Sequence, residues 1–309
     1  MSTITRPDNV RTLCEVLGAA QRDGYAVGAF AARLTPMVRS IMHGAQQTES
    51  PAIVQISQKE LIRADIRPSA VADEFYRVVR EDHITVPLVL HLDHTKDLAV
   101  IREALVAGFT SVMIDASDQP LDQNIAISRE VAELAHRFGS SVEAELGKIG
   151  TTDFVETDRD EELYTDPAEA ERFVRETGVD ALAVSVGTAH GVYRVRQPKI
   201  DYRRLGAIRS RLATPMVLHG GSGVPAEMMA EAVRVPGGGV SKVNIATDLE
   251  LAFLGALGRE ERLTDAQARA LPPDRLDIAL QAVQEVVVDK ICHFVQSAGH
   301  APAERSTRA

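Results

Sequence analysis

His94, His190 and His219 each stand at the end of a short apolar run, in PLVLHLDH (87–94), ALAVSVGTAH (181–190) and PMVLHG (215–220). Three neutral imidazoles brought together, with a fourth position left open, make a catalytic zinc site. A lone histidine is more often a hydrogen-bonded structural residue, but three at the same end of three strands argue for a shared task. Asp93 stands beside His94 and is a candidate acid or base; the competing assignment is a structural carboxylate bonded to a ligand histidine. His91 lies two residues before Asp93, on the same strand face, and is assigned to packing or support. His43, His83, His136, His293 and His300 fall in helices, a loop or the tail, and are assigned to surface or packing.

A second chemistry is written just after His219. Gly220, Gly221, Ser222 and Gly223 form a loop with almost no side chains. Glycines let backbone N–H groups approach an anion closely, and serine and threonine hydroxyls donate to its oxygens. Asn244, Ala246 and Thr247 lead from the last strand into a helix, with Asp248 as its expected cap. Alone, GGSG is weak, since glycine loops often only turn. Beside a metal-binding histidine it points to a phosphorylated substrate whose oxygen a metal could polarise.

These residues need a scaffold that gathers strand ends on one face. Eight β-rich runs recur, at 25–30, 51–57, 87–94, 111–117, 141–146, 181–190, 215–220 and 240–247. Helical patterns lie between them, for example 97–109, 124–139 and 167–178, and several close on a glycine (Gly108, Gly139, Gly178). The strands are apolar on consecutive positions, as parallel strands buried on both faces require. One unbroken βα series of this length predicts a TIM (β/α)₈ barrel, whose active site lies at the C-terminal strand ends. A doubly wound open sheet is the alternative, but no GxGxxG opens the first βα turn. A helix is expected around 8–23, a long one around 274–297, and a frayed tail from about 298 to 309. Residues 1–309 read as one domain. The acidic stretch 147–167 has no assignment and is long for a compact-domain loop.

The bulk numbers agree with a soluble enzyme. The 309 residues are 45% hydrophobic and 25% charged, with net charge −10. An acidic chain without a basic stripe is a poor nucleic-acid partner. Cys14 and Cys292 sit far apart without CxxC spacing, which suggests a reducing, cytoplasmic setting. No apolar run is long enough to span a membrane, and MSTITRPDNVRTL has no signal-peptide core.

HLDH (91–94), GFTSVMID (108–115), VEAELG (142–147), YTDPAEA (164–170), TGVDALAVSVGTAHGVY (177–193), LHGGSGV (218–224) and KVNIATDL (242–249) together resemble the class II, zinc-dependent ketose-bisphosphate aldolases, in the fructose- and tagatose-bisphosphate branch. The resemblance spans nearly the whole chain in order. It implies a homo-oligomer, usually a dimer or tetramer, one catalytic Zn2+ on His94, His190 and His219, and Asp93 acting on the C4 hydroxyl. It implies that Gly191, Gly220, Ser222, Asn244 and Thr247 bind the dihydroxyacetone phosphate half, with a monovalent cation (Na+ or K+) close by. Asp115 and Glu145 match supporting or alternative metal positions. A carboxylate in the loop after strand five, among Asp153, Glu156 and their neighbours in 153–162, would handle the dihydroxyacetone phosphate proton.

The departures cluster where the aldehyde half would sit. AFAAR places Ala31 and Arg33 where the family usually has asparagines. QISQKELIRAD keeps Ser57 but adds Lys59 and Arg63. Thr95 replaces a common glycine, Glu250 a frequent arginine, and Pro273 the arginine of DPRK, with Arg275 the nearest substitute. The expectation is a kept dihydroxyacetone phosphate site and a rebuilt aldehyde site, in which Arg33, Lys59 and Arg63 recognise an anion or merely form a solvated basic patch. The rivals are a Schiff-base aldolase using Lys242 or Lys148, a zinc hydrolase barrel, which lacks its HxH on strand one, and a phosphosugar-binding protein without catalysis.

Overall fold

A computed structural model describes residues 6–148, 150–151, 163–191, 193 and 197–301. Its strands in chain order are β1 (Val27–Ala31), β2 (Ala52–Ser57), β3 (Leu88–Thr95), β4 (Ser111–Ile114), β5 (Ser141–Leu146), β6 (Gly150–Thr151), β7 (Ala181–Val184), β8 (Ala189–His190), β9 (Met216–Leu218) and β10 (Val240–Ile245). Eight of them close a parallel barrel in the order β1-β10-β9-β7-β5-β4-β3-β2. This is the expected TIM barrel, with helices around it. β6 and β8 pair separately outside it.

Period-two alternation stratifies the barrel interior. At the bottom, Val27, Ala29, Ile53, Val89, Ala181, Ala183 and Val217 share one buried cluster with Leu13, Val16, Leu17 and Ala20. Those last four are the apolar stripe of the helix Leu13–Asp23, which therefore plugs the N-terminal end. Thr12 and Glu15 cap that helix reciprocally, and Gly24 ends it in the left-handed conformation. Beside them, fully buried, lie His91, two residues beyond Val89, and Glu143 and Lys242, in register with Ala181 and Val217. Another step leads to Asp93, Glu145 and Asn244, at the mouth. The outer faces of the strands pack against the helices in a second, larger cluster.

Several boundaries differ from expectation. The sixth run is two strands. The Ser185 N–H donates to Thr165 Oγ1 at 2.8 Å, and the Thr165 N–H to Ser185 O at 2.9 Å, which ends the barrel ladder. The chain then turns at Gly187 (φ 116°) before pairing as β8. The first helix starts at Leu13 rather than 8, because Val10 bridges to Leu88. The last helix runs Pro273–Asp289 and widens to a π-helical turn over Lys290–Phe294. The tail is docked through Ala301: the Gly299 N–H donates to Thr48 O, the Ala301 N–H to Glu49 O, and His300 stacks on Tyr25. Residues 302–309 lie outside the described set. Among the described residues no helix is long and apolar enough to cross a membrane.

Candidate active site

Strict alternation would send Asp93 and His94 to opposite faces of β3. It does not, because β3 carries one extra residue against β4 between Leu92 and Thr95. His94 sits within that bulge at φ 37°, a backbone conformation uncommon outside glycine. The bulge re-aims His94 into the barrel mouth beside Asp93. Strain of this kind persists where surrounding structure over-determines it, often at functional sites.

The three imidazoles meet there. The His94 ring centroid is 4.9 Å from that of His190 and 4.4 Å from that of His219. One nitrogen from each lies within 4.8 Å of the others. His94 Nδ1 faces Asp115 Oδ2 at 3.3 Å, so Nε2 is its free nitrogen. The Nε2 atoms of His94 and His190 are buried without any hydrogen-bond partner. His219 donates from Nε2 to Glu143 Oε1 at 2.9 Å, and its Nδ1 lies 3.0 Å from Glu145 Oε2. Two buried, orphaned imidazole nitrogens and a third ring backed by a carboxylate fit a divalent ion of zinc type. Burial, aided by His94 and His219, holds the His190 pKa down to about 3, so it is neutral and able to coordinate. For His219 burial acts the other way but is outweighed by Glu143 and Glu145, which push it up to about 10; a cation there competes with that proton.

His91, Asp93 and Glu143 form a second cluster deeper in the barrel. There the cation is already present as Lys242, whose Nζ is 2.7 Å from Glu143 Oε2. His91 is bonded to Ser111 Oγ at 2.8 Å and kept neutral by burial and by Lys242, with a pKa near 3. It supports the site from behind, as its sequence position suggested. Lys242 is fully buried and does not line the cavity, which counts against it as a Schiff-base nucleophile.

Asp93 accepts from Gln55 Nε2 at 3.2 Å and from Asn244 Nδ2 at 3.1 Å. Burial would raise its pKa, but His94 and Lys242 outweigh that and hold it low. The result is an oriented carboxylate, ionised at neutral pH. Gln55 was missed in the sequence, although its spacing from Ile53 and Ser57 places it on the inner face.

The glycine loop follows β9. Gly220 has φ 70°, and a Cβ there would lie 2.3 Å from Ala189 O. Ser222 Oγ accepts from the Ala246 and Asp248 N–H groups at 3.3 and 3.4 Å. This joins the loop to the start of the helix Thr247–Ala256. Asp248 is not the expected cap: its carboxylate pairs with Lys290 at 2.7 Å, and the N-cap is Ala246, without a side-chain bond. Gly191, Gly220, Ser222, Asn244, Ala246 and Thr247 thus line one side of a cavity of about 840 Å3 that also contains Asp93, His94 and His190. A helix N-terminus and a bare loop offer an anion backbone N–H groups and a favourable dipole.

Gly220→Ala is expected to destabilise the fold by at least about 2 kcal/mol, through φ and through the collision with Ala189 O. Gly24→Ala shares the φ (73°) but meets nothing within 4 Å, so it should cost only about 1 kcal/mol. Denaturant midpoints of the two variants check this; equal costs would show that the close approach at Gly220 is slack.

The same cavity is lined by Ser57, Lys59, Arg63 and Arg33. Arg33 is mostly buried and paired with Glu60 and Glu250, whereas Arg63 pairs with Glu60 and stays exposed. Lys59 is exposed. Arg275 does not reach the cavity; it donates to Leu257 O at 2.8 Å. Arg262, from a loop without a local sequence signal, lines it instead. Asp153 and Glu156 lie outside the described residues.

The family profile of class-II fructose-bisphosphate aldolase matches residues 11–300, and the chain belongs to that family. Among solved structures it is similar to the YdjI aldolase from Escherichia coli K12, at 27% identity and TM-score 0.78 over 94% of this chain and 99% of that one. It is also similar to a Coccidioides immitis protein named provisionally as a fructose-1,6-biphosphate aldolase, at 26% identity and TM-score 0.78 over 94% and 98%. The Fba fructose-bisphosphate aldolase of Campylobacter jejuni, at 21% identity and TM-score 0.73 over 92% and 95%, shares the fold.

Proposed function

We propose that this protein is a zinc-dependent aldolase that reversibly cleaves a phosphorylated ketose to dihydroxyacetone phosphate and an aldehyde, with a non-standard aldehyde half. The observation that carries the reading is the pair of orphaned, buried Nε2 atoms of His94 and His190 beside an ionised, doubly bonded Asp93.

His94, His190 and His219 would hold the zinc, with Asp115 behind His94, Glu143 behind His219, and Glu145 as an alternative contact. The ion would supply Lewis-acid polarisation of the ketose oxygens. The chain's own residues do the remainder. Gly191, Gly220, Ser222, Thr247 and the backbone N–H groups between them seat the phosphate, with Na+ or K+ nearby, and Ser57 faces them from β2. Asn244 and Gln55 hold Asp93 so that its free lone pair meets the C4 hydroxyl. Asp93 takes that proton as the C3–C4 bond breaks, and it returns the proton in the reverse direction. Protonation at C3 belongs to a carboxylate of the 153–162 stretch. The reading includes a cytoplasmic homo-oligomer, dimer or tetramer, with residues 1–309 as a single barrel domain.

The test is release of dihydroxyacetone phosphate from a panel of ketose 1-phosphates and 1,6-bisphosphates, with and without chelator, alongside metal analysis. Chelator-sensitive release with stoichiometric zinc is expected. Chelator-resistant release would move the chemistry to a lysine. No release by zinc-loaded protein from any ketose would favour a phosphosugar-binding protein.

A further inference from the structure

Arg33, Lys59, Arg63 and Arg262 all line the cavity, and their ion-pair partners are Glu60, in its lining, and Glu250, behind it. Glu60 Oε1 is shared by Arg33 Nε at 3.7 Å and Arg63 Nη1 at 2.9 Å. Glu250 is shared by Arg33 Nη1 and by Arg262, whose Nε and Nη2 lie 2.6 and 2.8 Å from its oxygens. Arg33 is the mostly buried link of this chain of charges, while Arg63 and Arg262 stand at its exposed ends. Lys59 is exposed and has no hydrogen bond or ion pair among the described residues. It lies one turn from Arg63 on the helix Gln58–Ala64, a spacing at which like charges repel. The cations outnumber the carboxylates here, in a chain whose net charge is −10.

From this surplus, and resting on the aldolase reading above, we propose that the far end of the ketose carries an anionic group, a phosphate or a carboxylate, held by Lys59, Arg63 and Arg262. An anion there relieves the repulsion between Lys59 and Arg63. It also takes up donors that the protein leaves open. A guanidinium has five N–H donors in a planar fork. Arg63 directs Nη1 to Glu60, and Arg262 directs Nε and Nη2 to Glu250, so each keeps further N–H groups for a ligand. The glutamates fix the guanidinium planes without cancelling the local charge, and a fixed fork loses less freedom when it binds. Arg33 is a positioning residue, since it holds both glutamates rather than the ligand. Cations lining a cavity also focus the field and draw an anionic substrate in. The charge does not come from the C-terminal region, where Pro273 stands in place of the DPRK arginine and Arg275 is turned to Leu257 O. It comes from the helix after β2 and from the loop between the helices Thr247–Ala256 and Asp265–Arg269.

The test compares kcat/KM of the zinc-loaded enzyme on ketose 1-phosphates whose far ends are an uncharged hydroxymethyl, a carboxylate and a phosphate ester. An anionic end is expected to lead the uncharged one by about tenfold or more, the range of a hydrogen bond to a charged group. Whichever anion leads identifies the group. Lys59→Met, Arg63→Met and Arg262→Met should each narrow that lead. Lys59→Met breaks no contact among the described residues, so its result does not depend on a weakened fold. An uncharged end used as well as either anion overturns the proposal. So does a lead that none of the three variants moves, which places the anion's contact elsewhere. Solvent hydrogen exchange into dihydroxyacetone phosphate, which needs no aldehyde, separates the two levels. Exchange without an anionic lead overturns only this inference. No exchange and no release from any ketose takes the aldolase reading down with it.

Discussion

Asp93→Ala lowers turnover on the best ketose phosphate by about 10²–10⁴-fold, the range expected for removing a positioned acid or base, while bound zinc stays stoichiometric. The split follows from the geometry. Asp93 is absent from the set of three imidazoles and holds its own partners, Gln55 and Asn244. Metal content and turnover therefore part company when its carboxylate goes. The variant leaves two amide donors without their acceptor, so some stability is lost, about 1–3 kcal/mol for each donor that water fails to reach. Asp93→Asn keeps the volume and provides the control. If it is as inactive as Asp93→Ala but nearer wild type in its denaturant midpoint, the loss is one of proton transfer. Equal loss of zinc and activity in both variants would instead place Asp93 in the metal's own shell.

Lys242→Met destabilises the fold by about 3–5 kcal/mol, the cost of stripping one partner from a buried ion pair. Its ammonium is fully buried, 2.7 Å from Glu143 and 4.0 Å from Asp93. Without it, Glu143 keeps His219 at 2.9 Å and His91 at 3.6 Å, and His91 is held neutral. Glu143 also orients His219, so zinc affinity should fall, by about 10–100-fold if this support behaves as such carboxylates do elsewhere. The double variant Glu143→Gln/Lys242→Met removes both charges and should recover much of the stability. Denaturant unfolding and competition with a zinc chelator measure the two effects separately. A Lys242→Met protein of unchanged stability would mean that water or His219 compensates Glu143 unaided.

The barrel and the three histidines were legible because strand ends announce themselves locally. Each histidine closes an apolar run, and the parallel barrel decides which ends share a face. Asp93 was legible only by adjacency, since alternation alone would have turned either it or His94 away from the mouth; the bulge at φ 37° is invisible in HLDHT. The sixth strand was drawn too long because Thr165, twenty residues upstream, supplies the bond that stops it at Ser185. Arg33 was open to reading as an anion receptor because its neutralising partner Glu250 lies 217 residues away. Long-range charge pairing has no periodicity to betray it. Lys242 and Glu143 fell in the same gap: each looked like a charge inside a strand, and only closure of the barrel makes them a pair.

The helix that plugs the barrel floor sets a problem of timing for the ribosome. Leu13, Val16, Leu17 and Ala20 emerge some two hundred residues before Val217, which completes their pocket. At about 5–20 residues per second the stripe waits ten seconds or more for its last partner. The β1–β10 ladder, which joins Val27 to Lys242, waits longer still. Until then the stripe lacks its native cover, the kind of surface that favours association with other chains. Closure of the barrel waits on its last strand, which pairs with its first.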